Sequence, residues 1–248
     1  MNNHFKIIVP FYNVEQWVKL TIRSIQMQNY KNFECILVDD ISTDQSRVLA
    51  EKEINVDKRF KIVENKAKKY VLKNICDAIE LANPNQEDII VILDGDDWFA
   101  RKDVLSILNE TYNRENCWLT YGSYVEYPSN TRGKFASRVP EHVINNNLFR
   151  NVPWKASHLR TFKRKLWNNI RKEDLINLDT LEFYEVAWDL AFMYPMLEMS
   201  GPRSRHVADY MYVYNKENPL SDMYIKQQQQ LNAATQIINR PKYSQKEF

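Results

Sequence analysis

Four short apolar runs recur through the first hundred positions: "FKIIV" at 5–9, "FECILV" at 33–38, "FKIV" at 60–63 and "IIVIL" at 89–93. Each is too short for a helix and lacks the alternation of a half-exposed strand, so each reads as a strand buried on both faces. The segments between them carry a different period. In "VEQWVKLTIRSIQMQN" the residues Val14, Trp17, Val18, Thr21, Ile22 and Ile25 fall three and four apart, which makes one helical stripe facing a sheet. Ser42, Thr43 and Asp44 supply start signals for a second helix. Strands alternating with helices at crossover spacing predict an α/β fold with a mostly parallel, doubly wound sheet, its strand C-termini along one edge.

The pattern then loosens. "CWLTYGSYVEY" at 117–127 predicts a longer strand, and residues 128–159 mix Pro, Asn and basic residues with little period, as expected of irregular chain draped over the sheet edge. In "VAWDLAFMYPMLEMSG" the residues Leu190, Met193, Tyr194 and Leu197 form a helical stripe, with Pro195 bending it and Gly201 closing it. A strand at 206–215 and a polar helix within 225–239 complete the pattern. By character the chain divides at 127/128 into two halves of one continuous domain, the second smaller in regular structure.

Composition narrows the function classes. With 248 residues and 44% hydrophobic content the chain can bury a proper core. Its 34 basic and 32 acidic residues nearly balance, which argues against a general nucleic-acid binder. Cys35, Cys76 and Cys117 are odd in number and widely spaced, as in a reducing compartment, and read as small core residues. The N-terminal apolar run stops at Pro10, too short for a signal peptide or a membrane span, so the expectation is a soluble cytoplasmic protein that can still work at a membrane face.

Chemistry concentrates on the predicted strand ends. Strand two runs into Asp39 and Asp40, and strand four runs into Asp94, Gly95, Asp96 and Asp97. Ligands of open parallel sheets bind beyond the carboxyl ends of the strands. Acids crowded there repel one another unless a cation offsets them. Hard cations such as Mg²⁺ and Mn²⁺ take carboxylate oxygens and share them with substrate phosphates, which an Asp-x-Asp turn suits, with Gly95 letting Asp94 and Asp96 reach one space. From Pro128 to Lys165 there are nine Lys or Arg and a single acid, Glu141. That basic segment is either a solvated face or the complement of a phosphorylated ligand. Within it Trp154, His158 and Arg160, with Trp188 further on, are candidates to line a sugar or acceptor pocket, against the plainer reading that all are packing residues.

These motifs, in this order and spacing over the first half of the chain, resemble glycosyltransferase family 2 with the GT-A fold. The resemblance implies an inverting enzyme of the hexosyltransferase class that uses a nucleoside diphosphate sugar, most commonly a UDP-sugar. It places Pro10, Tyr12 and Glu15 beside the nucleotide, Asp39 and Asp40 at base and ribose, and Lys73 and Asn74 where the family usually has Arg-Asn. Asp96 is then the direct metal ligand, and Asp94 lies near the ribose or a metal-bound water. Such enzymes use a carboxylate at the start of a late helix as general base. Here that is Asp189, preceded by Trp188 in place of the usual Glu, with Glu185 and Glu182 as alternatives. A helix N-terminus would hold Asp189 ionised and aimed outward. His206 reads as structural. Acceptors of the family are glycans, lipid-linked or protein-borne. Rival readings are a sugar-nucleotide nucleotidyltransferase, which would need a Gly-rich loop where "PFYNVEQW" has no glycine, an aspartyl phosphohydrolase, and a non-catalytic binding module of the same fold.

Overall fold

A computed structural model describes residues 2–221 and 226–247. The first predicted strands appear as β1 (Phe5–Phe11), β2 (Phe33–Asp39), β3 (Phe60–Glu64) and β4 (Ile89–Ile92). Between them lie α1 (Val18–Gln26), α2 (Ser46–Ile54) and α3 (Tyr70–Ala82). All three adjacent pairs in the order β3-β2-β1-β4 are parallel. α1 begins four residues later than its apolar stripe, and α2 begins at Ser46, whose amide donates to Asp44 Oδ1 at 2.9 Å.

Next come β5 (Trp98–Phe99), α4 (Val104–Glu115), β6 (Leu119–Tyr127), β7 (Thr131–Arg132) and α5 (Glu141–Asn145). β8 (Arg160–Lys163) and α6 (Arg164–Trp167) follow, then α7 (Trp188–Ser200), β9 (Ser204–Asn215) and α8 (Gln227–Ile238). The expected start of the last helix, at Ile225, lies outside the described residues. β8 pairs antiparallel to β4 on one side and β6 on the other, so the sheet runs unbroken across 127/128 in the order β3-β2-β1-β4-β8-β6-β9-β5. The reversal at β8 had no signal in the apolar pattern. It brings Arg160 level with Ile92, the last residue of β4.

The strands alternate between two apolar layers. Ile8, Ile36, Ile90 and Ile92 face α3 and α7, while Ile7, Leu37, Ile89 and Val91 face α1 and α4. α7 differs from its expected single stripe: every residue from Ala191 to Ser200 is buried, because α3, α6 and α8 enclose it. Pro195 sits inside the helix, and Gly201 closes it as expected.

Candidate active site

The ends of β1, β2 and β4 meet on one edge. The Gly95 amide donates to the Pro10 carbonyl at 3.1 Å, and a Cβ on Gly95 would sit 3.0 Å from that oxygen and inside van der Waals contact of Phe11 Cβ. Gly95 therefore serves close approach to β1, which is how the acids after β4 are pressed against the first strand. Tyr12 projects from the end of β1 and is 38% exposed. Lys68 Nζ lies 2.9 Å from the centre of its ring and 3.4 Å from Asp40 Oδ2. Glu15 is a loop tie, its Oε2 accepting from the Gln45 amide at 2.9 Å while its own amide donates to Asp44.

Asp39 is buried and accepts from the Ser42 amide at 2.9 Å. Asp40 is more heavily committed. Its Oδ1 accepts from Asn65 Nδ2 (2.8 Å) and the Lys69 amide (2.9 Å), and its Oδ2 accepts from the Tyr70 amide (2.9 Å). Against burial, which pushes the carboxyl up, these donors and the Lys68 charge hold it below the usual carboxylate range. Asp40, expected at base or ribose, thus spends both oxygens on the start of α3. Asn74 is buried and accepts from Asn65 in the same network (2.6 Å), while Lys73 pairs with Asp77 one turn along α3. The expected Lys-Asn pair is thus engaged with Asp77 and Asn65. Lys68, which no motif marks, is the cation beside Tyr12.

The acids after β4 have fewer donors. Asp97 accepts from Tyr212 OH and, at 2.7 Å, from the Asn215 amide of β9, so it is a structural latch between β4 and β9. Asp96 Oδ2 accepts from Asn218 Nδ2 at 2.6 Å. Asp94 has Tyr212 OH at 3.3 Å. Burial first, then the neighbouring charges of Asp96 and Asp189, raise the Asp94 carboxyl to about 7 in spite of Arg160 beside it. Asp96 is raised by burial, and Asp97 by burial and its two acidic neighbours.

Arg160, 4% exposed and placed beside the end of β4 by β8, donates from its Nη2 to Asp189 Oδ2 at 2.7 Å. Asp189 is in the first turn of α7, yet what holds it is this guanidinium and not the helix amides, a correction to the expected N-terminal cradle. Glu185 is 43% exposed in its side chain and pairs with Lys226 at 3.3 Å; Glu182 lies in the exposed turn before it. His158 is buried among Tyr124, Tyr212 and Tyr214, stacked on Tyr212 at 4.4 Å, and burial and Arg160 push its pKa well below the ordinary value. Trp154 packs edge-on to Tyr194 (5.0 Å) and Trp188 against Phe192 (6.0 Å), different partners that make no shared sugar platform.

The basic segment does not line the acids as a group. Arg150 is buried on Glu198, Arg164 pairs with Glu80, and Lys163 and Lys165 pair with Glu87. Arg160 alone of the nine approaches the acids after β4 among the described residues. His206 lies away from the site, its Nε2 3.3 Å from Ser123 Oγ, in keeping with a structural role.

The family model for "Glycosyl transferase family 2" matches residues 6–171. The chain belongs to that family. Among curated relatives it is 32% identical over 147 residues to the UDP-Glc:alpha-D-GlcNAc-diphosphoundecaprenol beta-1,3-glucosyltransferase WfgD of Escherichia coli, covering 58% of this chain and 54% of WfgD. It is 29% identical over 129 residues to the glycosyltransferase GlyG of Streptococcus pneumoniae, covering 51% of this chain and 41% of GlyG. The match thus spans about half the length of these relatives or less. Two solved structures share the fold. Staphylococcus aureus TarS 1–349 in complex with UDP-GlcNAc has a TM-score of 0.67 at 20% identity, covering 87% of this chain and 59% of that one. The mannosyltransferase PcManGT of Pyrobaculum calidifontis, in complex with GDP-Man and Mn²⁺, has a TM-score of 0.67 at 19% identity, covering 98% and 66%.

The donor set fits a divalent cation. Arg160 sets one positive charge against the four carboxyl groups of Asp94, Asp96, Asp97 and Asp189, and burial followed by the neighbouring acids raises Asp94 in spite of it. Asp94, Asp97 and His158 each bring a ligand atom within 4.8 Å of the others. Of these, Asp97 already accepts from Tyr212 and Asn215 and His158 faces Arg160, while Asp96, outside this group of three, accepts from Asn218. Burial of His158 beside this cluster was invisible in the sequence, where a lone His carries no period.

Proposed function

We propose that the protein is a metal-dependent inverting glycosyltransferase that moves a sugar from a UDP-sugar to an acceptor hydroxyl. One observation carries this reading: Asp94 at the end of β4 and Asp189 in the first turn of α7, acids from opposite halves of the chain, flank one buried arginine. A binding module needs the first acid and has no use for the second.

Tyr12, Lys68 and Asp39 border the nucleoside, and Pro10 and Gly95 keep the backbone close to it. Asp94 and Asp96 would hold Mg²⁺ or Mn²⁺, which would supply positive charge to offset the leaving diphosphate. Asp189 accepts the proton of the acceptor hydroxyl, and the freed oxygen attacks the anomeric carbon from the face opposite the nucleotide, which inverts it. UDP is favoured over other nucleotides by the names of WfgD and of the TarS complex. WfgD's diphosphoundecaprenol-linked acceptor supports a lipid-linked glycan, with other glycans and protein hydroxyls as the alternatives. No helix among the described residues is long and apolar enough to cross a membrane.

A panel of nucleotide sugars with Mn²⁺, scored for nucleoside diphosphate release, tests the reaction. Release from one UDP-sugar above all others is expected, and no release from any donor would leave a binding module. Calorimetry with UDP tests the metal: affinity should fall at least tenfold with chelator, and equal affinity would remove the cation from the site.

A further inference from the structure

Two buried arginines of the second half differ in how they are used. Arg150 forks both terminal edges onto Glu198, at 2.6 and 2.9 Å, and gives its remaining nitrogen to the carbonyls of Ile237 and Arg240. It is a fully engaged clamp on the C-terminal segment. Arg160 is equally buried but only half engaged. One nitrogen reaches Asp189, its terminal nitrogens lie 3.2 and 3.3 Å from the two ring nitrogens of His158, and its Nε has no partner.

A half-satisfied buried guanidinium costs stability, and replacing such a pair by apolar side chains is often neutral or favourable. Its surroundings fix its orientation instead. His158 lies on one side, the Trp188 ring centre is 5.3 Å away, and Asp94 is the other acid facing its charge. The contact engages Asp189 Oδ2 and leaves Oδ1 without a hydrogen bond among the described residues. A carboxylate pinned at one oxygen and open at the other is oriented as a proton acceptor.

We propose that Arg160 is a positioning residue for sugar transfer, pinning Asp189 Oδ2 so that Oδ1 meets the acceptor hydroxyl. This rests on the reading of Asp189 as the base. The planar fork is what the role needs; a lysine there would bring the charge without the fixed direction.

The test is a double-mutant cycle on the whole chain, read by kcat, acceptor KM and UDP affinity with Mn²⁺. Arg160→Met should lower kcat about 10²-fold, with UDP affinity within about threefold, and Arg160→Lys should fall between the two. Arg160→Met combined with Asp189→Asn should be no slower than Asp189→Asn alone, because the arginine acts through that carboxylate. Single effects that multiply in the double variant, or a loss of UDP affinity of tenfold or more, would overturn the role and make Arg160 a diphosphate ligand. Full activity of Asp189→Asn would instead overturn the base reading, a result distinct from an active Arg160→Met beside an inactive Asp189→Asn. If Arg160→Met fails to fold, Arg160→Lys carries the test through its lowered kcat at unchanged UDP affinity.

Discussion

Asp39 and Asp40 close β2, and Asp94, Asp96 and Asp97 follow β4 at a neighbouring point of the same sheet edge, yet their carboxylates are treated in opposite ways. Asp40 receives two backbone amides, an asparagine and a lysine, and its carboxyl is held low. Asp94 is driven up to about 7 by burial first and then by the acids flanking it, with one arginine and one tyrosine nearby. The first arrangement stabilises the fold through a helix cap. The second is a concentration of like charge that the isolated chain holds at a cost, the pattern of a site organised for a ligand that is not part of the chain. Identical residue types in identical topological positions therefore do different work, and the number of donors around each acid separates them.

The largest effect that could break this comparison is on turnover. Asp189→Asn should keep UDP binding and lower kcat about 10²- to 10⁴-fold, since it removes the proton acceptor and little of the shape. Glu185→Gln, already paired away with Lys226, should change kcat less than about threefold. The reverse pattern in steady-state kinetics would move the base to the segment just before α7.

A second effect is on stability. Asp40→Ala should cost about 2–3 kcal/mol in urea unfolding, because it strands two helix amides and Asn65 in a buried place. A loss below ~0.5 kcal/mol would mean the cap is dispensable and Asp40 belongs with the ligand-binding acids.

Gly95→Ala should destabilise by about 1–3 kcal/mol, since the added Cβ meets Phe11 and the Pro10 carbonyl. Its nucleotide affinity should drop as well, because the acids after β4 are set by that contact. A stable variant with parental UDP affinity would show that the approach of β4 to β1 does not shape the edge.

How much of this was legible differs between the same two regions. The four parallel strands and the acidic edge followed from apolar runs, because strands buried on both faces declare themselves in sequence, whereas their order in the sheet did not. Nor did the partition of the acids. Asp40 reads like Asp39 until Lys69 and Tyr70 are brought to it by the turn into α3, thirty residues away. Asp97, inside the motif, proves to latch β9 through Tyr212 and Asn215, a contact across more than a hundred residues. Lys73 matched a motif position but is taken by Asp77 on its own helix, whereas Lys68 matched nothing and lies on Tyr12. Arg160 stood out as a candidate pocket residue of the basic segment, and nothing in the pattern tied it to Asp189. Its place became apparent once β8 was seen to run antiparallel against β4, a pairing that local pattern cannot encode.

The smallest of the effects lies in pH. The Asp94 carboxyl is raised above its ordinary value near 4, so the folded protein binds that proton more tightly than the unfolded chain does. Its contribution is most favourable in acid and is lost as pH climbs toward about 7. Asp40, held low, works in the other direction, stabilising above its ordinary range and failing as pH falls through its depressed value. Without metal, the melting temperature of the parent relative to Asp94→Asn should therefore decline between pH 5 and pH 8. A flat difference would show that Asp94 is not under electrostatic strain.

The most direct measurement pairs the melting temperature of Asp94→Asn, without ligand or metal at pH 8, with its transfer rate. A site that holds unbalanced charge for a ligand predicts a melting temperature equal to or above that of the parent and transfer reduced at least about 10²-fold. A melting temperature several degrees lower, with transfer close to the parent rate, would make Asp94 a structural acid like Asp40 and contradict the account.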